Sequence, residues 1–127
     1  MWIECNPNPC RLEEPDCVVR AIAIATDRDW HTVHRELCEF SGWMCSMPSV
    51  NKVWSAYLEA IGFQRFELPE WCPECVTVQT FCRYFPHGTY IIGTGTHAVA
   101  CRDGNWIDAW DSAQMKPTYF FRKKGRK

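Results

Sequence analysis

The chain has 127 residues and a formal charge of −1, with 46% hydrophobic and 23% charged residues, enough for one compact domain and too little for two. That balance excludes a disordered chain, and the longest apolar run, residues 18–25, is far too short for a membrane span. Removing the five basic residues of the tail 122–127 leaves nine basic against 15 acidic side chains, and an acidic body of about −6 argues against a general nucleic-acid binder.

Residues 1–7 lack the basic and apolar regions of a signal peptide, so the expected location is cytoplasmic, in the producing or the infected cell. Residues 1–16 read as loop-like, because Asn6-Pro7-Asn8-Pro9 and Pro15 block regular structure. Asp16 is a good N-cap type for a helix over 17–26. Asp29 caps a second helix with Trp30, Val33, His34 and Leu37 on one face, ended by Ser41-Gly42. Pro48-Ser49 opens a third, where Val50, Val53, Trp54, Tyr57, Leu58 and Ile61 form an apolar stripe and Gly62 terminates. Residues 63–68 form a short strand closed by Pro69, and Thr77 caps a short helix to about Tyr84. Four further strands follow at 89–94, 96–102, 105–110 and 118–122. The basic tail, 122–127, reads as a frayed end and as the one segment suited to nucleic acid or an acidic partner. Helices first and an antiparallel meander last predict a single α+β domain over 1–127, N-terminal helices packed on a C-terminal antiparallel sheet.

Two segments carry chemistry. Cys17 stands on the first turn of the first helix, where the positive end of the helix dipole favours thiolate over thiol. Asp103-Gly104 between two β-like runs signals a two-residue type I′ hairpin. That turn pairs Arg102 with Asn105, Cys101 with Trp106 and Ala100 with Ile107, which puts His97 and Asp108 on one face as diagonal neighbours. Asp111 falls opposite Thr96 on the other face, so Asp108 is the carboxylate expected to orient His97. His31, His34 and His87 have weaker cases, two in a helix and one in the Pro86-His87-Gly88 turn.

A helix-start Cys near the N-terminus, further helices, and then a sheet bearing a His and an acidic residue resemble the papain-like cysteine peptidase superfamily. The matching pieces are Asp16-Cys17, His97-Ala98-Val99, and Asp108 after the Asp103-Gly104 turn. The segment from Gly88 through His97 to Asp108-Ala109-Trp110-Asp111-Ser112 is most similar to small bacterial and phage relatives of the bacteriocin-processing (double-glycine leader) peptidases. The resemblance implies a papain-like fold and a protein or peptide substrate, with no required cofactor and no membrane partner. Cys17 would be the nucleophile, His97 the general base and later acid, and Asp108 the orienter. Relatives place a Gln several residues before the Cys to stabilise the oxyanion, and positions 11–16 hold none. Asn6 or Asn8, folding back, and the Cys17 N–H are the candidate oxyanion donors. An absent donor costs about 10²–10³ in rate.

The nine cysteines are odd in number and read as reduced. Cys72 and Cys75 form a Cys-x-x-Cys which, with Cys5 and Cys10, is a candidate four-thiolate zinc site. Ordinary free thiols are the alternative, and Cys38, Cys45, Cys82 and Cys101 read as packing residues. The leading reading is a thiol hydrolase acting on a peptide or isopeptide bond, or deamidating. Its rivals are a catalytically silent papain-fold binding module and a zinc-stabilised adaptor.

Overall fold

The computed structural model of the protein describes residues 1–10, 16–68 and 76–124. Its first helix, α1 (Cys17–Thr26), begins with the apolar run and ends where Asp27 turns left-handed (φ 56°), its N–H reaching the Ala23 and Ile24 carbonyls. Helix α2 (Trp30–Trp43) starts at Asp29, whose carboxylate accepts the Thr32 N–H at 2.7 Å, the cap expected from the sequence. It runs past Ser41-Gly42 to Trp43. Helix α3 (Asn51–Ala60) buries Val53, Trp54, Tyr57 and Leu58. Gly62 then adopts φ +105°, a conformation that reverses the chain without side-chain penalty. The short helix α4 (Val78–Tyr84) is capped by Thr77 Oγ1 on the Thr80 N–H.

Six strands form one mixed sheet. They are β1 (Trp2–Glu4), β2 (Phe63–Glu67), β3 (Thr89–Gly93), β4 (Ala98–Arg102), β5 (Asn105–Asp108) and β6 (Tyr119–Lys123), in the order β1-β5-β4-β3-β6-β2. All pairs are antiparallel except β1 on β5. The α+β class therefore holds, and two points differ from the sequence reading. Residues 2–4, expected as loop, form a parallel edge strand, tied down because Trp2 Nε1 and the Cys5 N–H both donate to the Asp108 carbonyl. The C-terminal sheet is not a simple meander, since β6 crosses back to pair with β3 and carries β2 on its far side. The last strand, expected to end at Arg122, runs on to Lys123 of the tail, and the two residues pair with Gln64 and Phe63. Residues 125–127 of that tail, and Pro69, lie outside the described residues.

Alternate strand residues feed two cores. Ile91, Ala98, Ala100, Tyr119 and Phe121 pack with α1, α2 and α3, whereas Tyr90, Ile92, Val99, Cys101 and Phe120 pack with α4. The central strands are covered on both faces, which is why they are almost continuously apolar. Cys82 and Cys101 meet in the second core with sulfurs 2.8 Å apart. Cys38 and Cys45 do not pack as expected and are exposed. Arg102 fastens α1 to the sheet by donating to the Ile24 carbonyl at 2.7 Å, a cation on the negative end of the helix. Among the described residues, no helix is long and apolar enough to cross a membrane.

One close approach has consequences for the site. Gly93 faces Tyr119 across the β3–β6 pair, and a Cβ on Gly93 would lie 2.1 Å from the Tyr119 ring. Gly93→Ala must therefore displace the ring. It is expected to cost about 1–3 kcal/mol of stability, read as a lower urea midpoint at unchanged slope. The cost should shrink in a Tyr119→Ala background; equal costs in both backgrounds would show that the ring is not what Gly93 accommodates.

Candidate active site

Cys17 is half-buried at the first position of α1. Asp16 occupies the N-cap position, yet its side chain makes no capping bond, in contrast to the expectation from residue type. The carboxylate instead takes Trp30 Nε1 at 2.9 Å, Asn8 Nδ2 at 3.1 Å and the Arg20 guanidinium. The first-turn N–H groups of α1 have no intrahelical acceptors, and the positive helix end falls on the sulfur.

His97 comes from a tight loop between β3 and β4. The Thr94 N–H donates to the His97 carbonyl at 2.9 Å, the His97 N–H donates to Thr94 Oγ1 at 3.1 Å, and Gly95 supplies a φ of +93°. The Asp103-Gly104 turn has positive φ at both residues, as a type I′ hairpin needs, and gives the register read from the sequence. At the open end of that hairpin, His97 Nε2 meets Asp108 Oδ2 at 2.6 Å. The other ring nitrogen is not engaged by Asp108, and His97 and Cys17 line the same cavity. The structure thus brings Cys17, His97 and Asp108 together.

The electrostatics follow from these partners. Burial works against the Cys17 thiolate, but the His97 hydrogen bond, the Ala98 N–H and the nearby His97 and Arg20 charges outweigh it, and the thiol is acidified. Burial likewise opposes the imidazolium. Its hydrogen bonds to Asp108 and Cys17, and their charges, carry His97 up to about 9. Both shifts favour a thiolate–imidazolium pair over a neutral thiol and imidazole.

Two residues to which the sequence reading gave no role complete the arrangement. Arg20, one turn beyond Cys17, is buried; it pairs with Asp16 and lies 3.7 Å from Asp108 Oδ1, which also accepts the Ala109 N–H at 2.7 Å. It is the only charged side chain of α1, and a lone charge in an apolar helix was the available signal that a buried partner was needed. Trp110 lies against the His97 ring, centroids 4.7 Å apart.

Cys17 and His97 open into a cavity of about 330 Å³ lined also by Ser49, Asn51, Trp54, Thr96 and Tyr119. Past Val18 and Ser49 lies a second cavity of about 470 Å³, with Val19, Trp30, Leu37 and Pro48 on its walls, together with His31 and His34. Asn6 and Asn8 are not among the lining residues of the Cys17 cavity. Asn8 Nδ2 donates to Asp16, its Oδ1 accepts the Cys10 N–H at 2.9 Å, and its own N–H donates to Asn6 Oδ1 at 3.1 Å. Both side chains fold their own loop rather than face the sulfur. Of the candidate zinc ligands, Cys5 is half-buried and Cys10 exposed, while Cys72 and Cys75 lie outside the described residues. Among the described residues, no cluster of three or more metal-ligating side chains occurs.

Comparison with known proteins gives no match: no family model, no curated protein and no solved structure is similar to the chain.

Asp108→Asn replaces the charged acceptor of the His97 Nε2–H with a neutral amide. The imidazolium should then titrate well below 9, and the thiolate should lose part of its counter-charge. Ultraviolet absorbance of the thiolate, followed against pH, should show Cys17 titrating at higher pH than in the parent protein. An unchanged thiol titration would mean that Asp108 does not act on the pair.

Proposed function

We propose that the protein is a papain-like thiol hydrolase that cleaves a peptide or isopeptide bond, or deamidates a side chain, through Cys17, His97 and Asp108. The observation that carries this reading is the His97 ring fixed by Asp108 Oδ2 at 2.6 Å on Nε2, in the cavity that the Cys17 thiol also lines. A carboxylate that orients a histidine, which in turn ionises a helix-start thiol, is the arrangement nucleophilic acyl chemistry needs.

In the mechanism these positions support, the Cys17 thiolate attacks the acyl carbon and the carbonyl electron pair moves onto oxygen. The Cys17 N–H, at the open end of α1, faces that developing charge. His97 then hands its proton to the departing nitrogen, leaving a thioester. A water deprotonated by His97 attacks the thioester, and Cys17 leaves as thiolate with the proton returned to His97. Asp108 keeps the ring in one orientation throughout and stabilises its charged form. The substrate class is a protein or peptide.

A catalytically silent binding module on the same fold is the second reading. It is favoured by one observation, that neither Asn6 nor Asn8 reaches the Cys17 cavity as an oxyanion donor. Alkylation by iodoacetamide with site mapping separates the two. The hydrolase reading expects Cys17 to react fastest of the nine thiols below about pH 7. His97→Ala should slow it by roughly tenfold for each unit that the thiol pKa rises. With a substrate in hand, hydrolysis should rise as the Cys17 thiol ionises and fall as His97 loses its proton near 9, because the leaving group then lacks an acid. Cys17 reacting no faster than the exposed Cys10, Cys38 and Cys45 would contradict the enzyme.

A further inference from the structure

We infer that the Tyr119 hydroxyl is a catalytic residue, the second oxyanion donor beside the Cys17 N–H, in a chain that has no glutamine upstream of its cysteine. The inference rests on the thiol-hydrolase reading and adds a residue to it.

The placement follows from the sheet. Tyr119 on β6 pairs with Gly93 on β3, and Gly93 pairs with Ala98 on β4, so the three form one row across the strands. Ala98 lines the same cavity as the Cys17 thiol. The phenol end of Tyr119 lies over Gly93: a Cβ built there would sit 2.1 Å from Cζ and 2.6 Å from Oη. The ring therefore leans across β3 toward β4 and the thiol. Gly93 is the residue that permits this crossing. Tyr119, Cys17 and His97 all line the same 330 Å³ cavity.

The hydroxyl is also aimed. Asn51 Oδ1 accepts Arg65 Nη1 at 2.7 Å and Ser55 Oγ at 3.1 Å, which leaves its amide nitrogen to donate to Tyr119 Oη at 2.7 Å. The Arg65 guanidinium covers the ring, 4.1 Å from its centroid. With its oxygen already accepting from Asn51, the phenol must turn its own proton elsewhere. Among the described residues, no acceptor takes that proton. Burial and the Cys17 charge raise the Tyr119 pKa, against the lowering effects of Asn51 and Arg65, so the phenol stays protonated and able to donate.

As the Cys17 sulfur bonds to the acyl carbon, the carbonyl π pair becomes a lone pair on oxygen. That oxygen accepts hydrogen bonds from the Cys17 N–H and Tyr119 Oη–H, with no proton transferred. Collapse restores the carbonyl and expels the leaving group with a proton from His97. A donor fixed in a water-poor cavity before charge develops is the kind that contributes most to acyl transfer.

Tyr119→Phe keeps the ring and removes only the donor. Two reagents read it on the whole protein. p-Nitrophenyl acetate acylates Cys17 through an oxyanion, whereas iodoacetamide alkylates it by displacement with none. The variant is expected to lose about 10²-fold in acylation rate while its alkylation rate stays near that of the parent. Acylation falling no more than alkylation, whether both hold or both drop, would overturn the role of Tyr119 and leave the thiol-hydrolase reading standing. Slow alkylation of Cys17 in the parent protein would instead contradict the hydrolase itself, and this inference with it.

Discussion

A buried carboxylate governs the site. Asp108 is 3% exposed at the end of β5, where an unpaired charge would be costly enough to oppose folding. It is held by His97 Nε2 on one oxygen and by the Ala109 N–H with the nearby Arg20 guanidinium on the other. Satisfying Asp108 fixes which ring nitrogen of His97 is occupied, and that fixes which one is left for Cys17. Arg20 extends the same logic to Asp16, so two carboxylates, a guanidinium and an imidazole share one partly dry cluster at the head of α1. The thiol is acidified by its neighbours in this cluster, against the burial that would otherwise keep it neutral.

The fold makes this cluster rigid by bringing well-packed elements to one end of the sheet. Helix α1 lies on β4, clamped at its far end by Arg102 and buried along Ile22, Ala23 and Ala25. Its near end then falls over the start of β4, where the 94–97 loop delivers His97. On one side β5 ends at Asp108; on the other, β6 begins at Tyr119. Each of these side chains thus stands at or next to the terminus of a buried element, where it is placed without loosening the core.

The hairpin was the most legible part. Asp103-Gly104 demanded positive φ at both positions, two-residue geometry gave the register, and register alone put His97 and Asp108 within reach of each other. Asp29 and Thr77 likewise cap their helices as their residue types suggest. What stayed hidden depends on contacts between distant segments. Three residues, Trp2–Glu4, show no periodicity, and only β5 makes them a strand. Asp16 has the chemistry of a cap, but Arg20 four residues on and Trp30 fourteen on compete for its oxygens. Asn8 carries an amide suitable for an oxyanion, yet that amide is engaged by Asp16. Tyr119 reaches the cavity of the thiol only because β6 returns to pair with β3, a topology that no local pattern encodes. Cys38 falls on the exposed side of α2 and Cys45 in the turn after it, although their residue type favours burial.

The central claim is that Cys17 and His97 exist as an ion pair at neutral pH. An NMR titration of the His97 ring nitrogens in the parent protein tests it most directly. The imidazolium should persist through neutrality and lose its proton near 9. A ring that titrates near the ordinary 6.5, with Cys17 still a neutral thiol, would contradict it.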